Sequence, residues 1–171
     1  MSHDCNRRDD RQDDSRANDS AVLAAEVTYS HLDKVRSHPE NFNSVDYACQ
    51  SIADNLGCAT RSAWGITLRF APTWFQVVSG ADLSVPMLWS GGIKGTSPVL
   101  FGGYQGSGSY SVGAALDVKA RYNIALAYNG SYTRHHNDSL NAFGQEQVGA
   151  ISGIGAQWDR GWISLTFKTA F

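Results

Sequence analysis

The densest run of reactive side-chain types in this chain is His135-His136-Asn137-Asp138-Ser139. Two histidines can hold a metal, and a serine beside a histidine and a carboxylate can hydrolyse an ester. Neither chemistry fits the spacing. Neighbours on an extended segment point to opposite sides, so His135 and His136 do not chelate one ion. Ser139 has no nucleophile elbow around it, and no ordered triad accompanies it. The run Gly102-Gly103-Tyr104-Gln105-Gly106-Ser107-Gly108 is glycine-rich but lacks the lysine of a phosphate loop. We expect no enzyme, no metal and no cofactor.

Four charges are placed differently. Glu26, Arg69, Asp117 and Lys168 each lie on the polar parity of an alternating run. If that parity faces a lumen, they line a pore. The plainer alternative is a salt-bridge network that fills it. Cys49 and Cys58 lie in a long polar stretch and form either a loop disulfide or two free thiols. No second cysteine pair stands at zinc spacing, and Cys5 falls in a charged arm.

The elements that carry these residues are strands. Ile163, Leu165 and Phe167 alternate with Ser164, Thr166 and Lys168, and the chain ends on Phe171. A strand puts alternate side chains on opposite faces, so one face is apolar and the other wet. A closing aromatic residue is what the last strand of an outer-membrane barrel carries. Tyr122, Ile124, Leu126, Tyr128 and Tyr132 form a second run, and Tyr110, Val112, Ala114, Leu116 and Val118 a third. Trp64, Ile66, Leu68 and Phe70 form a fourth, Leu83, Val85, Met87 and Trp89 a fifth, and Leu23, Ala25, Val27 and Tyr29 a sixth. A two-sheet soluble protein alternates too.

Aromatic placement favours a membrane. Trp64 and Trp74 bracket one run, and Tyr122 and Tyr132 bracket another. A tilted spanning strand needs about 9–11 residues with aromatic girdles at both interfaces. The opposite parity is rich in Ser, Thr, Asn and Gly rather than Lys and Glu, which suits a lumen. Pro72 removes a ladder donor, so a bulge or register adjustment is expected there. The net charge of −2 carries no nucleic-acid footprint. No run approaches the roughly 18 apolar residues of a membrane helix.

Residues 1–20 are dense in Asp and Arg and nearly free of apolar side chains, which reads as a disordered charged arm. It holds no apolar signal-peptide core. Residues 21–171 read as a β-barrel segment. Strands are expected at about 21–32, 62–78, 82–90, 109–118, 121–134 and 160–171. External loops are expected at 33–61, 91–108 and 135–159, with tight periplasmic turns at Ser79–Asp82 and Lys119–Arg121. Residues 147–157 are expected to form an extramembrane strand or ordered loop. About six strands cannot close a membrane barrel, since the known range starts at eight. The chain is expected to be the C-terminal part of a larger barrel, or to pair with another chain.

Pro86-Met87-Leu88-Trp89 followed by Gly95-Thr96-Ser97-Pro98 resembles a stretch of the Gram-negative outer-membrane family catalogued as domain of unknown function 1302. Ser62-Ala63-Trp64-Gly65, Tyr128, and Asp159-Arg160 opening the strand to Phe171 follow in the same order. The resemblance covers roughly residues 19–171. It implies a longer single barrel with a signal peptide, often encoded near exporters of hydrophobic compounds, and no assigned catalytic residues. Thr169 stands where an aromatic is common.

The expected fold is an all-β antiparallel meander of the cell outer membrane. Its partners are the lipid bilayer, the assembly machinery acting through the last strand, and further barrel strands. The expected function is passage or export of small or hydrophobic molecules. The alternative is a soluble β-sandwich binding module with an aromatic-lined core or cleft.

Overall fold

The computed structural model of the protein describes residues 18–42, 44, 47, 58–99, 103–140, 146–150 and 159–170, without side-chain detail in the segments 135–140 and 146–150. Among the described residues nine strands follow in order: β1 Ser20–His31, β2 Ser62–Val78, β3 Ala81–Ser84, β4 Met87–Lys94, β5 Gly108–Val118, β6 Tyr122–Tyr132, β7 His135–Leu140, β8 Glu146–Ala150 and β9 Trp162–Thr169. All the ladders between strands are antiparallel. The main sheet runs β1, β2, then β3 and β4 together, then β5, β6 and β9. Strands β7 and β8 pair with each other in a separate two-stranded sheet. The chain is all-β and antiparallel, as period-two alternation predicts.

Strands β3 and β4 form one track. Pro86 between them has no N–H to give to a ladder, so the strand expected over 82–90 is interrupted. Its register carries through: on β2, Thr73 faces Ser84 and Phe70 faces Met87. The carbonyls also stay bonded. Val85 N–H donates to Pro72 O at 3.0 Å, and Gly113 N–H donates to Pro86 O at 2.9 Å. The track then continues past residue 90 to Lys94.

The bulge expected at Pro72 is not there, because Pro72 stays in register with Ala21. The irregularity lies between Trp74 and Val78. Gln76 takes a φ of 52°, and its N–H donates to Asp82 Oδ1 at 2.8 Å. The carboxylate takes up a donor that the shifted ladder leaves over.

Both tight turns lie at one end of the sheet. Gly80, with φ 77°, closes β2 onto β3. Lys119 and Ala120, with φ 52° and 51°, close β5 onto β6, and Arg121 N–H donates to Val118 O at 3.1 Å. Positive φ at both central positions is the backbone class of a type I′ turn, which matches strand twist. The connections from β1 to β2, β4 to β5 and β6 to β9 all lie at the other end. We call the two ends the turn end and the loop end. The stretch 135–159, expected as an external loop with an extramembrane strand or ordered loop at 147–157, contains the β7–β8 hairpin.

Burial is inverted relative to a water-soluble protein. Outside the segments 135–140 and 146–150, the described residues include no buried Val, Leu, Ile, Met, Phe, Tyr or Trp. Leu23 is 74% and Leu165 73% exposed. Among the residues with placed side chains, the buried apolar ones are small: Cys58, Ala59, Ala63, Pro72 and Ala81. Buried polar groups accompany them at Ser44, Thr96, Ser97 and Ser107.

Candidate functional site

Register assigns every strand residue to one of two faces. Residues directly opposite in an antiparallel ladder share a face. Leu23, Phe70, Met87, Val112, Tyr128 and Ile163 stand in one row across all six tracks. The six apolar parities read from the sequence therefore combine into one continuous face. All six side chains in that row are exposed. No second sheet lies over them among the described residues.

The opposite face is polar. Glu26, Thr67, Ser90, Ser109 and Ser131 form one row across five tracks. The Thr67 and Ser90 hydroxyls lie 2.9 Å apart. Arg69 occupies the next row toward the turn end, opposite Ala24 and Leu88. Val22, Leu88 and Trp162 are large apolar departures on this face, and all three are exposed.

Nearer the turn end, Asp82, Asp117, Asn123 and Lys168 form a further row. The two carboxylates sit directly opposite each other, where like charges repel. Each has its own neutral donor. Gln76 N–H serves Asp82, and Asn123 Nδ2 donates to Asp117 Oδ1 at 2.7 Å. This row lines a cleft of about 660 Å³ together with Arg121. Glu26, Arg69, Asp117 and Lys168 thus share one face, with Asp117 and Lys168 in one row and Glu26 and Arg69 each in another. Among the described residues none of the four is in an ion pair.

The loop between β4 and β5 turns inward over the polar face. Ser97 N–H donates to Gly103 O at 2.8 Å, and Gln105 N–H to Gly95 O at 2.9 Å. Gly92 exchanges bonds with the loop, donating to Ser107 O at 3.0 Å and accepting from Gly106 N–H at 3.1 Å. A side chain at Gly92 would strike the Tyr104 backbone. Residues 91–94 of the expected loop 91–108 are the end of β4, and glycine on the polar parity lets the backbone of Tyr104 approach.

The girdle residues sit on the apolar face. Trp64 packs on Tyr29 with ring centroids 4.6 Å apart, at the loop end. Tyr132 stacks with Trp89 at 6.4 Å, and Tyr122 with Phe167 at 6.2 Å. Trp74 faces Leu83 near the turn end. Sequence reading missed the glycines beneath these rings. Gly108 and Gly91 lie under Tyr132, Gly130 under Tyr110, and Gly161 under Tyr128. An aromatic ring over a strand glycine covers backbone that has no side chain of its own. A glycine at the apolar parity beside a tyrosine-rich run was the available signal.

At the loop end, His31 Nδ1 lies 2.8 Å from Ser62 Oγ, and Tyr29 hydroxyl lies 3.3 Å from both. The trio is exposed and joins β1 to β2 as a rim network. Thr60 Oγ1 accepts from Thr96 N–H at 2.9 Å, which ties two connections together. Cys58 is fully buried there and is disulfide-bonded. Cys49, Cys5 and Phe171 lie outside the described residues. In the same connection, a backbone hydrogen bond and His38 hold the Glu40 carboxyl below its ordinary range. His135 and His136 pair with Ala150 and Gly149 along the β7–β8 hairpin.

No curated protein matches the chain, and no solved structure does. A protein-family comparison matches residues 5–171, nearly the whole length. On that match the chain belongs to the family described as Protein of unknown function (DUF1302).

Proposed function

We propose that this chain forms part of the wall of an outer-membrane β-barrel and that its polar face lines a lumen for the passage of small solutes. The observation that carries the reading is the uncovered apolar face. Leaving a large apolar side chain in water rather than buried costs about 1.5–3 kcal/mol. Six tracks of Leu, Ile, Val, Phe, Tyr and Trp are exposed on one side, and acyl chains would cover them at no such cost.

Strand length supports the same reading. An 11-residue strand such as β6 is about 36 Å long, and a tilt near 45° brings its height to about 25 Å. Aromatic pairs stand near both ends of the apolar face, at headgroup depth. The lumen side is lined by hydroxyls and amides, which suits polar solutes over a hydrophobic cargo. The soluble-sandwich alternative needs a second sheet over the apolar face.

Among the described residues, tracks β1 and β9 are the two edges of the sheet. Unpaired edges in lipid cost several kcal/mol per group, so closure needs further strands from the same polypeptide or another chain. The assembly machinery would engage the β9 edge.

Quenching by brominated acyl chains tests the reading. A variant that keeps Trp89 as its sole tryptophan, refolded into such vesicles, should be strongly quenched. An unquenched Trp89 in a chain that elutes as a folded monomer without detergent would overturn it.

A further inference from the structure

We infer that the loop leaving β4 and the Glu26 carboxylate form an eyelet in the lumen that admits cations in preference to anions. The inference rests on the lumen reading of the polar face and adds a selectivity site to it.

Three observations build the eyelet. First, the loop lies on the polar face. Gly65 and Gly92 are opposite each other in the β2–β4 ladder and carry no side chains. A Cβ added at Gly103 would lie 3.4 Å from the Cα of each of those two glycines. The backbone of the loop therefore takes the space that two side chains would fill.

Second, the loop is pinned. Besides the bonds that Gly92 exchanges with it, Gln105 Oε1 accepts from Gly95 N–H at 2.9 Å. Ser30 and Ser97 hydroxyls meet at 3.0 Å, which ties β1 to the segment after β4. Ser107 is buried, and its hydroxyl lies 2.6 Å from Thr133 Oγ1. A segment held to β1, β4 and the end of β6 can narrow a passage as a fixed wall rather than a free flap.

Third, the space left beside it is small and carries one sign of charge. The cleft is about 280 Å³ and is bounded by Glu26, Thr28, Thr67, Ser90, Tyr104 and Ser109 among others. Glu26 is the carboxylate there, and no Lys, Arg or His lines the cleft. Arg69 stands one row toward the turn end on the neighbouring strand and makes no ion pair with Glu26. A lone carboxylate among hydroxyl and carbonyl oxygens replaces part of a cation's hydration shell and repels an anion. A low-dielectric wall strengthens that bias by focusing the field.

The test is flux through vesicles carrying the closed barrel, this chain together with the further strands that complete it, read separately with a cation quencher, thallium(I), and an anion quencher, iodide. The wild type should pass thallium several-fold faster than iodide. Glu26→Gln should bring the two rates close together with the faster one reduced. Gly92→Leu drives the loop off the polar face, so both fluxes should rise and the preference should shrink. A wild-type preference unchanged in Glu26→Gln would overturn the filter and leave the pore reading standing. Unchanged fluxes in Gly92→Leu would overturn the loop as the narrow point. Absence of flux for both ions from an inserted wild type would remove the pore reading and the eyelet with it.

Discussion

Tyr132 lies across Gly108, the residue directly opposite it in the β5–β6 ladder, and its hydroxyl reaches on to Gly91 one track further. A Cβ at Gly108 would sit 2.6 Å from that hydroxyl and would also strike the Ser90 carbonyl. The ring thus needs both glycines to lie flat on the sheet. Gly130 under Tyr110 is different, because a Cβ there meets only the far end of a ring, 2.5 Å from its hydroxyl. We expect Gly108→Ala to cost about 1–3 kcal/mol and Gly130→Ala clearly less, since backbone cannot yield as a side chain can. Urea titration of the refolded protein in micelles, followed by tryptophan emission, orders the two. The reverse order would contradict the packing.

The faces of β9 make a second prediction. Leu165 stands opposite Leu126 on the apolar face, and Thr166 stands opposite Ala125 on the polar one. Leu165→Arg should cost about 2–4 kcal/mol if that row lies near the bilayer midplane. Thr166→Arg should be far milder in a water-filled lumen. Equal losses in lipid refolding would defeat the face assignment.

The β5–β6 turn is built from residues that dislike its backbone. Ala120 adopts φ 51° and Lys119 φ 52°. A left-handed conformation costs an L residue about 1–2 kcal/mol, a cost glycine does not bear. Ala120→Gly should therefore stabilise the fold by about 1 kcal/mol, net of the greater freedom glycine has when unfolded. A shift of the urea midpoint downward would show that the turn is not strained.

Asp82 is asked to do two things. It accepts the Gln76 N–H at the bulge, and it stands opposite Asp117. Asp82→Asn keeps an acceptor and removes the repulsion, so stability should hold or rise by up to about 1 kcal/mol. Asp82→Ala removes the acceptor and should cost about 1 kcal/mol. If the two variants behave alike, the hydrogen bond at Gln76 is not what maintains the bulge.

The exposed apolar face also predicts solution behaviour. Expressed without a membrane, the chain should collect in inclusion bodies and dissolve only in detergent or denaturant. A monomeric elution volume in plain buffer, with a cooperative thermal transition, would contradict that.

Local alternation alone determined much of this protein. Leu23 and Val27, Leu126 and Tyr128, Ile163 and Leu165 were assigned to one face by a period of two, which needs no partner strand to be read. The tight turns at Gly80 and at Lys119-Ala120 were legible because short polar gaps between apolar runs leave room for little else. The family resemblance rested on motifs that local reading could also see. Register was a different matter. That Tyr132 falls on Gly108, that Asp82 meets Asp117, and that Glu26 heads a row of hydroxyls depends on which residue of one strand lies beside which of the next. No local pattern carries that information, since sliding a strand by two residues leaves its alternation unchanged. The bulge moved from Pro72 to Gln76 because a carboxylate on the facing strand could take the spare donor. The connection after β4 folded inward because two glycines, distant in sequence, came to lie side by side on the polar face.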